Sequence, residues 1–303
     1  MNGGTEQEAL VLAGHGRRYA VETGDGKRLI CLTAGREVHP VCGDRVRIED
    51  HVAGPRILGL LPRRSLFSKA DNRGRAVALA ANLDRVLVAL AVLPEPDAFL
   101  TDKYLASIAG MGIPAGIVFN KTDLPEAAAA MQTARLDYLE SIGYPVFRAS
   151  ARSGAGMEDL RGVLAGGSSL LVGQSGVGKS SLLNALVPGA RHRIDELSAA
   201  TDEGRHTTTT TTLHRLPDGG VLLDSPGVRD LLLANRDPGS VAPLFMEFPA
   251  HAAHCRFKDC LHMQEPGCAI KAAVENGTIL ESRLRNYQRL VKVMQQAEER
   301  KYD

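Results

Sequence analysis

Gly173-Gln174-Ser175-Gly176-Val177-Gly178-Lys179-Ser180 stands between a strand-like apolar stretch, Ser169-Leu170-Leu171-Val172, and a helix-like one, Ser181-Leu182-Leu183-Asn184-Ala185-Leu186. This is the pattern G-x-x-x-x-G-K-S in the strand-to-helix setting it needs, and it decides the fold. Glycine permits consecutive backbone N–H groups to turn inward around a phosphate, while the following helix presents its positive end. The reading assigns Gly173, Gln174, Ser175, Gly176, Val177, Gly178, Lys179, Ser180 and Ser181 to a nucleoside triphosphate. Lys179 reaches the β- and γ-phosphates and serves catalysis, and Ser180 ligates Mg²⁺.

Upstream, Leu83 to Leu93 is a continuous apolar run, as a strand buried on both faces requires. Residues 100–111 read as helix, 115–119 as strand, 126–142 as helix, and Tyr144 to Ser150 and Ser169 to Gly173 as strands. Strand and helix in alternation predict a parallel sheet with helices on both faces. Residues 9–60 have another texture, short β-rich stretches broken by Gly, Asp and Pro, and read as a small OB-like β-barrel. From Thr278 onward, Leu280, Leu284, Tyr287, Val291 and Met294 recur at helical spacing behind a Thr278/Glu281 capping box, predicting one amphipathic terminal helix.

Asn120-Lys121-Thr122-Asp123 directly follows the strand at 115–119. A carboxylate at Asp123 accepts from both the N1–H and the 2-amino group of guanine, donors that adenine lacks. Asn120 and the Lys121 stem brace this loop and cover the base, and Ser150 and Ala151, after the next strand, offer N–H groups to the guanine O6. The nucleotide is therefore read as GTP or GDP. Asp224-Ser225-Pro226-Gly227 follows another strand as a D-x-x-G loop, with Asp224 holding Mg²⁺ through water and the Gly227 N–H touching the γ-phosphate. In Gly204-Arg205-His206-Thr207-Thr208-Thr209 a threonine completes the Mg²⁺ shell; Thr208 is favoured, and the six-threonine run leaves the register open.

Cys255-x4-Cys260-x-His262-x5-Cys268 supplies three thiolates and an imidazole, a closed Cys₃His set that suits one structural Zn²⁺ per chain. His251 and His254 are nearby alternatives for the fourth ligand. Cys31 and Cys42 lie in the barrel and read as small buried hydrophobes.

Composition narrows the classes further. The 303 residues are 44% hydrophobic and 23% charged, with a formal net charge of +1, which fits a multidomain globular chain without a global basic excess. Residues 1–75 are the basic part, with 13 basic against 9 acidic side chains. Arg17 and Arg18 form one cluster there, and Arg63, Arg64, Lys69, Arg73 and Arg75 a second; each is a candidate nucleic-acid contact or simply solvated surface. No apolar run reaches the length of a membrane span, and Met1 to Leu10 lacks a secretory pattern, so a cytoplasmic protein with no membrane partner is expected.

The nucleotide motifs resemble those of translation-factor-related GTPases in a permuted order, because the base loop precedes the phosphate loop. Barrel, permuted GTPase and zinc knuckle with a helical tail together closely resemble the ribosome small subunit-dependent GTPase A family (RsgA, YjeQ, YloQ). The resemblance rests on Gly43-Asp44-Arg45-Val46, Ala80-Ala81-Asn82-Leu83-Asp84, the GRHTTT stretch, Asp224 to Arg229 and Cys255 to Ile270. It implies a multidomain α/β chain: an OB-fold RNA-binding domain (1–67), a circularly permuted P-loop GTPase domain (68–235) and a zinc-binding helical domain (236–303). It also implies a monomeric GTP hydrolase that binds the small ribosomal subunit and its rRNA late in maturation and leaves on hydrolysis. Competing readings are a GTP-dependent switch acting on a non-ribosomal protein, and an RNA-binding module with a vestigial nucleotide site. Val228 occupies the place where efficient GTPases carry a water-orienting Gln, so unassisted turnover should be slow; His206 is the candidate for that role, or else an exposed loop histidine.

Overall fold

The computed structural model describes residues 6–299 except 36, 53, 72–74, 126–134, 191–210, 226–227, 229–230 and 232–236. Five strands, β1 (Glu6–His15), β2 (Arg18–Thr23), β3 (Arg28–Thr33), β4 (Arg45–Glu49) and β5 (Arg56–Leu60), close into a barrel of order β1-β2-β3-β5-β4. Only β3 and β5 pair in parallel, as an OB-type barrel requires. The period-two pattern explains the closure. In β4, Val46 and Ile48 point into a core with Val11, Val21, Cys31 and Ile57, while Arg45 and Arg47 face outward to pair with Glu8 and Glu6 on β1. β1 was not legible as a strand, because its first half, Glu6-Gln7-Glu8, is polar and a bulge between Val11 and Ala13 breaks its alternation. Cys31 and Cys42 are buried, as expected, and the Cys42 thiol donates to the Leu12 carbonyl at 3.2 Å.

A hairpin of β6 (Leu66–Ala70) and β7 (Ala76–Ala81) leads from the barrel to a six-stranded sheet of order β10-β9-β8-β11-β13-β12. Its strands are β8 (Arg85–Ala91), β9 (Ala115–Asn120), β10 (Val146–Arg148), β11 (Ser168–Gly173), β12 (Thr212–Arg215) and β13 (Val221–Asp224). The apolar run at β8 is the central strand, and its two faces build two cores. Val86, Val88 and Leu90 pack with Tyr104, Leu105 and Ile108 of helix α1 (Ala98–Gly110). Leu87, Ala89 and Ala91 pack on the other face with α2 (Met157–Leu164) and α3 (Lys179–Leu186). The sheet is parallel except for its edge strand, since β12 runs antiparallel to β13. Of the helix read at 126–142, residues 135–141 are helical, and 126–134 lie outside the described residues.

The last part of the chain has two 3₁₀ turns, Pro238–Ser240 and Ala242–Leu244, and three helices, α4 (Phe248–Ala252), α5 (Ala269–Glu275) and α6 (Glu281–Glu299). Leu284, Tyr287, Val291 and Met294 form the buried face of α6, packed on Phe245 and Phe248. The capping box does not form. The Thr278 hydroxyl donates to Asn276 Oδ1 at 2.6 Å, and the helix starts only at Glu281, because the preceding turn offers Thr278 a closer acceptor.

Candidate functional site

Strands β8, β9, β10, β11 and β13 are parallel, so the segments leaving their carboxyl ends share one edge of the sheet. That edge collects Asn120, Ser150 and Ala151, Gly173 to Ser181 and Asp224. Their order along the chain is irrelevant to the geometry, which is why a permuted chain can build one pocket.

The phosphate loop folds around glycines for steric reasons. A Cβ on Gly173 would meet the Ala89 carbonyl oxygen at 2.3 Å. Gly178 has φ +92, and a Cβ there would meet Asn120 Nδ2 at 2.4 Å. Helix α3 begins immediately after, at Lys179, with no side chain capping its first turn, which leaves those N–H groups to an anion. Lys179 Nζ donates to the carbonyls of Gly173 (2.8 Å) and Gln174 (2.7 Å), so its charge sits inside the loop. Ser180 and Ser181 are exposed at the helix start.

The base loop is joined to the phosphate loop by side chains. Asn120, 1% exposed, donates through Nδ2 to the Val177 carbonyl at 2.9 Å and accepts from the Ala151 N–H at 3.1 Å. Lys121 takes a left-handed backbone, φ +64, and its Nζ donates to the carbonyls of Leu93 (2.6 Å) and Gly176 (2.7 Å). The Ser150 hydroxyl donates to Asp123 Oδ1 at 2.6 Å, and this bond holds the Asp123 carboxyl below the usual carboxylate range. Asn120, Lys121, Asp123, Ser150, Ala151 and Arg152 line a cavity of about 260 Å³ that reaches Gly178 and Ser181. A planar base fits such a space, with the exposed Asp123 carboxylate among its lining groups as acceptor.

Asp224 ends β13, and burial raises its pKa against the opposing charge of Lys179. A divalent cation would restore its charge, so this donor suits Mg²⁺. Ser225 is buried and shares a 2.8 Å hydrogen bond with Thr211, the fifth of the six threonines, which ties the two loops together. His206, Thr208 and Gly227 lie outside the described residues. Val228 is buried, with its carbonyl accepting from the Tyr104 hydroxyl at 3.0 Å.

Cys255, Cys260, His262 and Cys268 bring their ligand atoms within 4.8 Å of one another. His262 Nδ1 lies 3.6 Å from Cys255 Sγ and 3.4 Å from Cys268 Sγ. A tetrahedral ion with Zn–S of about 2.3 Å and Zn–N of about 2.0–2.1 Å implies S···N edges of roughly 3.5 Å, so the donor set fits Zn²⁺. His251 and His254 are not in this group, and His254 is exposed. Burial pushes the Cys260 thiol up to about 12 and lowers the His262 pKa, keeping the imidazole neutral as a ligand must be. Glu265 shapes the turn by accepting from the N–H groups of Leu261 (2.9 Å) and Met263 (2.8 Å).

The basic clusters separate. Arg17 and Arg18 are exposed at the β1–β2 turn. Arg63 and Arg64 bind Asp44 and Asp84, and Arg75 binds Asp71; Arg73 lies outside the described residues. Sequence reading missed a buried network in which Arg283, 1% exposed, bridges Asp102 and Glu247. An arginine on the apolar face of α6, between Leu280 and Leu284, was the available signal.

The family model described as RsgA GTPase matches residues 60–234. The small ribosomal subunit biogenesis GTPase RsgA of Azotobacter vinelandii is 43% identical over 294 residues, covering 95% of this chain and 86% of its own. The protein of the same name from Bordetella pertussis is 44% identical over 292 residues, covering 94% and 96%. Among solved structures, YjeQ from Thermotoga maritima superimposes with a TM-score of 0.76 at 31% identity, covering 95% of this chain and 98% of that one. YloQ, described as a circularly permuted GTPase, shares the fold with a TM-score of 0.73 at 22% identity, over 99% and 97% of the two chains.

Proposed function

The chain belongs to the RsgA GTPase family, and from that premise we propose that it hydrolyses GTP to GDP and phosphate while bound to the small ribosomal subunit, late in that subunit's maturation, and uses hydrolysis to leave. The observation that carries this reading is Asn120, which binds the phosphate loop through Nδ2 and the Ser150-Ala151 loop through Oδ1, so that base recognition and phosphate binding form one rigid pocket. A vestigial site has no need to keep that buried bridge.

In this reading Asp123 selects guanine, Ser150 orients its carboxylate, Ala151 offers its N–H to the O6, and Asn120 and Lys121 fix the loop. Gly173 to Ser181 cradle the phosphates, and Lys179 moves from the carbonyls of Gly173 and Gln174 to the β- and γ-phosphates, where its charge stabilises the transition state. Ser180, Thr208 and Asp224 hold Mg²⁺, which neutralises charge on the phosphates when bound. Gly227 meets the γ-phosphate, and His206 orients the attacking water. Val228 cannot do so, because its side chain is buried and apolar. Cys255, Cys260, His262 and Cys268 hold one structural Zn²⁺. The segments 1–67, 68–235 and 236–303 divide the work among RNA binding, GTP hydrolysis and a zinc-stabilised contact surface. The protein acts as a cytoplasmic monomer; among the described residues no helix is long and apolar enough to cross a membrane.

The test is single-turnover GTP hydrolysis with and without saturating small subunits, beside co-sedimentation in GDP and in a non-hydrolysable GTP analogue. Subunit-stimulated hydrolysis, lost in His206→Ala with GTP affinity kept and lost with affinity in Lys179→Ala, supports the assignment. No binding to subunits in either nucleotide transfers the switch to a non-ribosomal partner, and absence of GTP binding makes the pocket vestigial.

A further inference from the structure

His262 takes a left-handed backbone, φ +57, which among the described non-glycine residues only Asn82 and Lys121 share. An L-residue keeps that conformation where its surroundings enforce it, and histidine is one of the few side chains that tolerate it. Here it directs the side chain of a residue 2% exposed so that Nδ1 lies 3.6 Å from Cys255 Sγ and 3.4 Å from Cys268 Sγ. The stretch from Cys255 to Cys268 contains only turns and bends, so no helix or strand of its own imposes this geometry.

The enforcing contacts come from two sides. From α6, 26 residues further along the chain, the Tyr287 hydroxyl donates to the Leu261 carbonyl at 2.9 Å and Gln288 Nε2 to the His262 carbonyl at 2.8 Å. Those two carbonyls belong to the peptide groups on either side of the His262 Cα, and the angle between these groups is what φ and ψ describe. From within the knuckle, the Glu265 carboxylate accepts from the Met263 N–H at 2.8 Å, so the peptide after His262 is held at both ends. Tyr287 is fully buried, edge-on to Phe245 and Phe248, with its ring centre 5.9 Å from that of His262. The Cys255 sulfur is oriented without α6, by accepting from the Ala269 N–H at 3.3 Å.

We propose that Gln288, seconded by Tyr287, is a positioning residue of the zinc site, which keeps the His262 backbone left-handed and its Nδ1 beside the sulfurs, so that the terminal helix is part of the metal site. The proposal rests on the metal assignment above. Neither residue is a ligand. Without the Gln288 donor, the peptide after His262 keeps only its N–H bond to Glu265, the backbone loses its restraint and the imidazole leaves its place. The effect is selective, because the three cysteines do not depend on that bond. Outer-shell groups of this kind typically change metal affinity about 10- to 100-fold.

The experiment uses the full-length protein and three variants. Gln288→Met keeps the length of the side chain and removes the donor, Gln288→Lys keeps a donor, and Tyr287→Phe removes only the bond to Leu261. Each is loaded with Zn²⁺, and its rate of metal loss to a chromogenic chelator is measured beside its circular dichroism. Each is also loaded with Co²⁺, whose visible bands, unlike the filled shell of Zn²⁺, report the ligands. Gln288→Met should lose Zn²⁺ about tenfold faster or more, with parental helix content. Its Co²⁺ ligand-field bands should move while the thiolate charge-transfer band stays, the signature of a lost imidazole that general destabilisation of α6 does not produce. Gln288→Lys should restore both rate and bands. Tyr287→Phe should shift rate and bands in the same direction, which keeps the test open where Gln288→Met fails to fold. Parental protein that takes up neither metal overturns the zinc assignment itself. Normal uptake with parental rates and bands in Gln288→Met and Tyr287→Phe, or faster loss that Gln288→Lys does not correct, overturns the positioning role alone.

Discussion

Asn120 Nδ2 stands 2.9 Å from the Val177 carbonyl oxygen, a contact that joins the base loop to the phosphate loop across 57 residues of sequence. Gly178 makes room for it, because any Cβ there would fall 2.4 Å from the same nitrogen. The 120–123 and 173–180 loops are consequently one structural unit, and disturbing either residue should be felt in both.

Gly178→Ala must strain a left-handed backbone and displace Asn120. The backbone alone costs about 1–2 kcal/mol, so where that strain falls on the nucleotide-bound loop GTP and GDP affinity should fall roughly 5- to 30-fold. Asn120→Ala removes two buried hydrogen bonds and leaves the Val177 carbonyl unsatisfied, for a further ~1–3 kcal/mol. Titration calorimetry of both variants checks this, and an unaltered Kd in Asn120→Ala would show that the bridge is dispensable.

Asp123→Asn exchanges an acceptor pair for one donor and one acceptor, which matches the 2-keto edge of xanthine. GTP binding should weaken and xanthosine triphosphate binding appear. Ser150→Ala deletes the 2.6 Å bond that orients the carboxylate, and should weaken guanine nucleotides severalfold without changing base preference. Competition among GTP, ATP and the xanthine nucleotide reads both effects.

The elements legible in the sequence were those with strict periodicity or short-range motifs. The β8 run, the glycine-rich loop at 173–180 with α3, the loop at 120–123 and the cluster of Cys255, Cys260, His262 and Cys268 needed only local residues, each set lying within about fourteen positions of sequence. What escaped depends on partners far apart along the chain. The antiparallel direction of β12 follows from its return beside β13, and β1 becomes a strand only by pairing with β2 and β4. Arg283 reads as a flaw in an apolar stripe until Asp102 and Glu247 are placed beside it. Thr278 shows the converse failure, in which a local capping pattern lost to a nearer acceptor on Asn276.

Cys260→Ser should lower bound Zn²⁺ from about one per chain and unfold the region around 251–270, since a structural site supplies folding free energy directly. In the metal-free arrangement burial pushes the Cys260 thiol up to about 12, and ligation must expel that proton. Protons therefore compete with the metal, and zinc retention should decline as pH is lowered. Metal analysis across a pH series, with circular dichroism, tests this; native protein lacking zinc at neutral pH would falsify the knuckle assignment.

Arg63 and Arg17 are both arginines of the basic barrel, yet they should fail differently. Arg63 donates to both oxygens of Asp44 at 2.7 Å and to the His39 carbonyl at 3.1 Å, and Asp44 is fully buried. Removing one partner of a buried pair costs about 3–5 kcal/mol; because Arg63 is itself 24% exposed, the lower end applies. Arg63→Ala should thus lower the melting temperature of the barrel, whatever it does to partners. Arg17 is exposed on the β1–β2 turn, so Arg17→Glu should leave stability within about 0.5 kcal/mol. Its effect should appear instead in small-subunit binding, weakened at low salt and with a shallower dependence on salt concentration, because each lost phosphate contact releases about one counterion fewer. Thermal melts and a salt titration on the same two variants separate the roles. Equal subunit binding by Arg17→Glu and the parent across the titration would make Arg17 ordinary solvated surface and move the rRNA contact to another face.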